Sequence, residues 1–129
     1  MVTRKPPTID QVHSALRPVD GWLRNDSEQP ARPVLADAVR ISARYLAGAY
    51  PGGAVEVRIP PFVAVQCIQG LTHKRGTPPN VVETDSRTWL ELVTGAITWE
   101  TAVRDARVRT SGSRATLAEL LPIVQSPAG

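Results

Sequence analysis

Apolar side chains recur every three or four positions between residues 33 and 49, where Leu35, Val39 and Leu46 would share one side of a helix. Pro33 suits the first helical turn, because an N–H at that position would have no partner within the helix. This period predicts an amphipathic helix with one face in a hydrophobic core. The turn at residues 51–53, Pro-Gly-Gly, ends it.

In the next segment, apolar residues recur at every second position. Val55, Val57 and Ile59 alternate with Glu56 and Arg58, which predicts a strand with one buried and one wet face. Two prolines then predict a turn, because neither can donate a ladder hydrogen bond. The next run is apolar on both sides, so we expect a second strand, paired with the first as a hairpin, whose two faces both need cover. Phe62, Ala64 and Ile68 lie on one side of this run, and Val63, Val65 and Cys67 on the other.

A third strand and two short helices are predicted next. β-Branched residues dominate residues 80–84, which is typical of a strand. The Asp85 carboxylate can accept from a free N–H in the first turn of a following helix, which Gly95 would end. Thr98 can begin the second short helix in the same way.

A fourth strand and a closing helix complete the pattern. Residues 107–110 alternate as a half-exposed strand does. Ser113 or Thr116 would open the last helix, since Thr116 and Glu119 have the spacing of a capping box, and Pro122 would end it. The order of these elements indicates an α+β fold.

The N-terminal segment has a different character. Thr8 predicts a short helix over residues 9–16, which Pro18 limits, and Trp22 and Leu23 are apolar residues that we expect to dock on the rest of the protein. The polar stretch that follows is predicted to be a linker. The predicted organisation is therefore a helix and linker in residues 1–32, a main domain in residues 33–124 and a tail in residues 125–129.

One combination of motifs resembles a known family. A short strand, an Asp-capped helix containing Trp-Leu-x-Leu-x-x-Gly, a short helix, a strand, a Ser-Gly turn and a Leu-rich helix are similar to the C-terminal part of the sterol-carrier-protein superfamily. The similarity extends upstream through HKRGTPPNVVETD and VEVRIPPFVAVQC, covers residues 33–124, and is greatest to the small actinobacterial branch called bacterial sterol carrier protein orthologues. It implies a mixed or antiparallel sheet of about five strands covered by helices.

Bulk composition excludes several classes of protein. One domain of 129 residues with 42% apolar and 21% charged residues is ordinary for a globular chain. The net charge of +3 is too small to predict nucleic-acid binding, and Asp105 interrupts the nearby arginines. The sequence contains no run of about 18 apolar residues, so we predict no membrane-spanning helix. The single cysteine and the lack of a signal-peptide pattern lead us to expect a cytoplasmic protein.

Catalytic patterns are weak. His13 and His73 lie at no metal-ligand spacing from each other or from Cys67, so no metal or other cofactor is predicted. Cys67 lies in an apolar strand and reads as a core residue. Glu83 and Asp85 could form a carboxylate pair, but Asp85 already has a capping role. We therefore expect no enzyme activity.

The resemblance implies a non-catalytic carrier of an apolar small molecule, such as a fatty acid, an acyl chain or a sterol-like lipid. The pocket would lie between sheet and helices, held by apolar burial. The loop at His73, Lys74 and Arg75 could meet a head group or a partner. The residues expected to line the pocket are Phe62, Trp89, Leu92, Val93, Trp99, Val103, Leu117 and Leu121.

Two other functions remain open. The same fold could serve as an interaction module that binds a protein or itself, for example as a homodimer, through the helix at residues 33–49, the two-faced strand or the loop at residues 72–79. An exposed apolar patch would mark such a surface. Similar domains are also fused to thiol-dependent isomerases or transferases, which makes an accessory domain a third hypothesis.

Overall fold

A computed structural model describes residues 5–70 and 80–125. The described chain contains four helices and four strands. The helices are α1 (Ile9–Leu23), α2 (Arg32–Ala49), α3 (Ser86–Thr94) and α4 (Trp99–Arg104), and the strands are β1 (Val55–Ile59), β2 (Val63–Cys67), β3 (Val81–Thr84) and β4 (Val108–Ser111).

The strands form one mixed sheet in the order β2-β1-β3-β4. β1 and β2 are an antiparallel hairpin, β1 and β3 are parallel, and β3 and β4 are antiparallel. The predicted α+β class and the predicted hairpin are confirmed. The described residues form four strands rather than about five.

One face of the sheet is apolar and the other is polar. The register places Val57 beside Val65 and Val82, which all point toward the helices. The opposite face, called here the open face, carries Glu56, Arg58, Ala64, Gln66, Glu83 and Arg109. The expectation that both faces of β2 need cover is wrong, because Ala64 and Gln66 are exposed and a small alanine in water costs little.

Helices α1, α2 and α3 enclose a single core with the apolar face of the sheet. Pro18 was expected to limit α1, yet the helix continues through it to Leu23. Val19 and Leu23 are buried on the same stripe as Val12 and Leu16, and this burial outweighs the one hydrogen bond that the proline removes. The predicted docking of Leu23 is confirmed.

The predicted helix at residues 113–121 does not form. Residues 118–120 make only a turn, in which the N–H of Leu120 donates to Leu117 O at 3.0 Å. A helix this short, ended by Pro122, would have too few hydrogen bonds to repay its nucleation. The chain is held instead by fully buried Leu117 and by the N–H groups of Ile123 and Val124, which both donate to Val93 O.

The predicted caps are present. Asp85 accepts a hydrogen bond from the N–H of Thr88 at 2.8 Å, and Thr98 accepts one from the N–H of Thr101 at 3.1 Å. Gly95 ends α3 in the left-handed region, with φ at 79°, which an L side chain rarely adopts. Together these three residues fix the sharp reversal between α3 and α4.

Candidate functional site

The reversal after α3 creates an apolar cleft next to the C-terminal segment. This α3–α4 cleft has a volume of about 650 Å³ and is partly open to solvent. Three of the residues that the sequence predicted to line a pocket border it: Leu92 and Trp99, which belong to the core and are only 1% and 9% exposed, and half-buried Leu121. Its full lining is Arg24, Leu92, Thr94, Gly95, Ala96, Ile97, Thr98, Trp99, Glu100, Ala118, Leu121, Pro122 and Gln125.

The charges around this cleft are mostly compensated. Arg24 forms an ion pair with Asp20 at 3.1 Å and another with Asp26 at 3.5 Å. Glu100 lies in the first turn of α4, where a negative charge is stabilised by the helix dipole. A ligand in the cleft would therefore meet an apolar floor and a rim without a free cation among the described lining residues.

Three other predicted lining residues lie in the core instead. Trp89, Val93 and Leu117 are fully buried and take no part in lining the α3–α4 cleft. The indole N–H of Trp89 donates to Ser42 Oγ at 2.8 Å, so this tryptophan joins α3 to α2. In this structure these side chains fill space between sheet and helices.

The remaining two predicted residues lie at the surface. Val103 is 41% exposed on α4. Phe62 is half-buried at the turn between β1 and β2, where the guanidinium groups of Arg32 and Arg40 lie over its ring. The loop residues His73, Lys74 and Arg75 lie outside the described residues.

A larger depression lies between α1 and α2. This α1–α2 groove has a volume of about 930 Å³ and an apolar floor that includes Ala15, Val34 and Ile41. Its rim carries charges of both signs, and none of them is ion-paired within the described chain. The rim residues are Lys5, Asp10, Asp37 and Arg44.

An ion-pair network near α3 was not predicted from the sequence. Glu91 pairs with both Arg87 and Arg107, and its side chain is only 13% exposed. Arg87 also donates to the carbonyl oxygens of Trp22 and Leu23, at 3.2 and 3.3 Å. The network ties the end of α1 to α3 and to Arg107, the residue directly before β4. The only signal in the sequence was the spacing of Arg87 and Glu91 by four residues.

The titratable residues do not converge. Burial raises the pKa of the Cys67 thiol from 9.0 to about 11, which disfavours the reactive thiolate. Asp85 is engaged by the N–H and the hydroxyl of Thr88, while Glu83 lies on the open face. Within residues 5–70 and 80–125, no group of three or more His, Cys, Asp or Glu could hold a metal ion.

A sheet covered on one face by helices, with an apolar cleft beside a short helix, defines a small α+β protein. In the described part of the chain, no helix is both long and apolar enough to cross a membrane. A family model described as bacterial SCP ortholog, SCP being sterol carrier protein, matches residues 31–123. The chain belongs to this sterol-carrier-protein-like bacterial family. A search of curated proteins found no match.

Proposed function

We propose that the protein binds an apolar small molecule of the lipid class in the α3–α4 cleft, without catalysing a reaction on it. Membership of the family carries this proposal, because its members are of a generally non-catalytic carrier type. The geometry supports it: Leu92, Trp99 and Leu121 meet at one cleft although they come from three separate segments. Burial of apolar area would drive binding, at about 25 cal/mol per Å².

The rim of the cleft favours a ligand with a neutral head group. The carboxylate of a fatty acid would face Glu100, which is also negative. It would also face Arg24, whose charge is already compensated by Asp20 and Asp26. Removing a carboxylate from water without a free cation to receive it is unfavourable. An acyl ester, an alcohol or a sterol-like lipid should therefore bind more tightly than a free fatty acid of the same chain length.

Two measurements test binding. Native mass spectrometry of protein purified from its own host, followed by solvent extraction, should show a co-purifying lipid. Displacement of a fluorescent apolar probe should rank a long-chain alcohol above the matched acid. If no lipid is extracted and no probe is taken up, the carrier function is wrong.

The site itself is tested with neighbouring leucines. Leu121 and Leu120 are both half-buried, but Leu121 lines the α3–α4 cleft, whereas Leu120 lines a different cleft beside Ile68. Leu121→Gln should weaken probe binding, and Leu120→Gln should leave it unchanged, with circular dichroism confirming that both variants fold. Equal loss in the two variants would place the ligand elsewhere.

The α1–α2 groove supports a second function, self-association with another copy of the chain. A twofold interface requires a self-complementary surface, and a rim with two acidic and two basic residues supplies both signs of charge for one. Sedimentation at high micromolar concentration should show a dimer that Ala15→Arg disrupts, while the matched exposed-site variant Val103→Arg does not. A strict monomer in the unmodified protein would rule this function out.

A further inference from the structure

The turn between β1 and β2 presents an apolar tip with few unsatisfied backbone donors. Pro60 and Pro61 are exposed and have no N–H group. The N–H of Phe62 donates to Ile59 O at 3.0 Å, and the Phe62 carbonyl oxygen accepts from Arg40 Nε at 3.1 Å. A backbone whose donors are absent or already bonded loses fewer hydrogen bonds to water when it is buried.

Two arginines flank this tip. The guanidinium carbons of Arg32 and Arg40 lie 5.1 and 5.8 Å from the centroid of the Phe62 ring. Neither group pairs with a carboxylate of the described residues. Arginine stems can lie along an apolar surface while the charged group reaches outward. The tip therefore combines apolar side chains with two arginines that form no ion pair within the described chain.

No carboxylate of the described residues forms an ion pair with Arg32 or Arg40. Because β3 runs parallel to β1, Asp85 lies at the same end of the sheet as the tip. Its two oxygens accept from the backbone and the hydroxyl of Thr88 at the start of α3. Glu56 pairs with Arg58 on the open face. These hydrogen bonds leave the negative charge of Asp85 in place, but they direct its carboxylate to Thr88, so the guanidinium groups of Arg32 and Arg40 remain available to an anionic partner.

We propose that this tip, made of Pro60, Pro61 and Phe62 with Arg32 and Arg40, docks on an anionic lipid membrane. The apolar side chains match the boundary between head groups and acyl chains, and the guanidinium groups match lipid phosphates. A nucleic acid would use the arginines but gain nothing from the prolines. Docking through one small tip is weak and reversible, as a protein that visits a membrane requires.

Vesicle co-sedimentation tests the proposal with the full chain. The protein should bind equimolar phosphatidylcholine and phosphatidylglycerol vesicles, and bind pure phosphatidylcholine vesicles far less. Each arginine near an anionic surface contributes about five-fold in affinity, so R32Q/R40Q should lose about 25-fold. The double variant R17Q/R109Q removes the same charge from exposed positions away from the tip and should bind as the unmodified protein does.

Two further variants keep the result unambiguous. Arg40 also hydrogen-bonds Phe62, so R32Q alone, at an exposed residue without such a bond, should still lose about five-fold in affinity. Leu121→Gln in the α3–α4 cleft should bind vesicles normally, which separates docking from ligand binding. Equal loss in both double variants, or no preference for anionic vesicles, would overturn the proposal.

Discussion

Trp89 and Ser42 join two helices inside the core, where the indole N–H donates to the serine hydroxyl at 2.8 Å. The hydroxyl in turn donates to Ala38 O, one turn earlier in α2, at 2.6 Å. Both side chains are fully buried. The largest fully buried side chain is thus tied to a neighbouring helix by a hydrogen bond as well as by packing.

Replacing Ser42 by alanine should therefore destabilise the protein. The Trp89 N–H would remain buried without a partner, at a cost of about 1–3 kcal/mol. Urea unfolding followed by tryptophan fluorescence measures this loss of free energy. Ser14 is an exposed serine in α1, and Ser14→Ala should change the free energy of unfolding by less than about 0.5 kcal/mol. Similar values for the two variants would contradict the structural role of Ser42.

Glu91→Gln should lower the free energy of unfolding by about 2 kcal/mol or more. The substitution leaves Arg87 and Arg107 without their shared carboxylate in a setting where the glutamate side chain is 13% exposed. The control is Asp105→Asn, because Asp105 and Arg104 form a pair whose side chains are 48% and 73% exposed. Such surface pairs contribute about 0–1 kcal/mol. Denaturation at low and high salt distinguishes the buried network from the surface pair.

Cys67 should make stability decrease as the pH rises from 9 to 11. The thiol has a pKa of about 11 in the folded chain and an ordinary value of 9.0 when unfolded. Between these values the unfolded chain loses the proton that the folded chain retains, so unfolding becomes easier, and the stabilisation is complete below about pH 9. The difference in unfolding free energy between the unmodified protein and Cys67→Ala should narrow or invert across this range. A constant difference would contradict burial of the thiol.

Helix α1 should contribute to the stability of the whole protein although it lies outside the family match. Val19 is fully buried against the core, whereas Val103 is 41% exposed on α4. Val19→Ala should cost about 2 kcal/mol in the free energy of unfolding, and Val103→Ala less than about 0.5 kcal/mol. A single unfolding transition in both variants would show that α1 unfolds with the sheet. A separate early transition in Val19→Ala would show the opposite.

Much of the fold follows from local pattern. The periods of α2 and β1 and the caps at Asp85 and Thr98 were predicted from the sequence, since each depends on residues within a few positions of one another. The errors came from distant contacts. Pro18 does not end α1, because Val19 and Leu23 are buried in the core, and this burial cannot be predicted from the residues next to them in the sequence.

The candidate site was less predictable. Leu92, Trp99 and Leu121 lie at one cleft only because the last segment turns back and bonds to Val93 O. The sequence pattern favoured a helix there, so it could not place Leu121. Trp89 and Trp99 have the same apolar character and are both buried, and nothing in their neighbouring residues indicates that Trp89 bonds Ser42 on another helix while Trp99 borders the cleft.

The contacts of Arg87 with the end of α1 can form only late in synthesis of the protein. Trp22, whose carbonyl oxygen accepts from Arg87, precedes it by 65 residues. A ribosome adding about 5–20 residues per second would release the first helix roughly 3 to 13 seconds before its partner exists. During that interval the apolar side of α1 can pack on α2, which is made directly after it, but the carbonyl oxygens at its end have no arginine to bond.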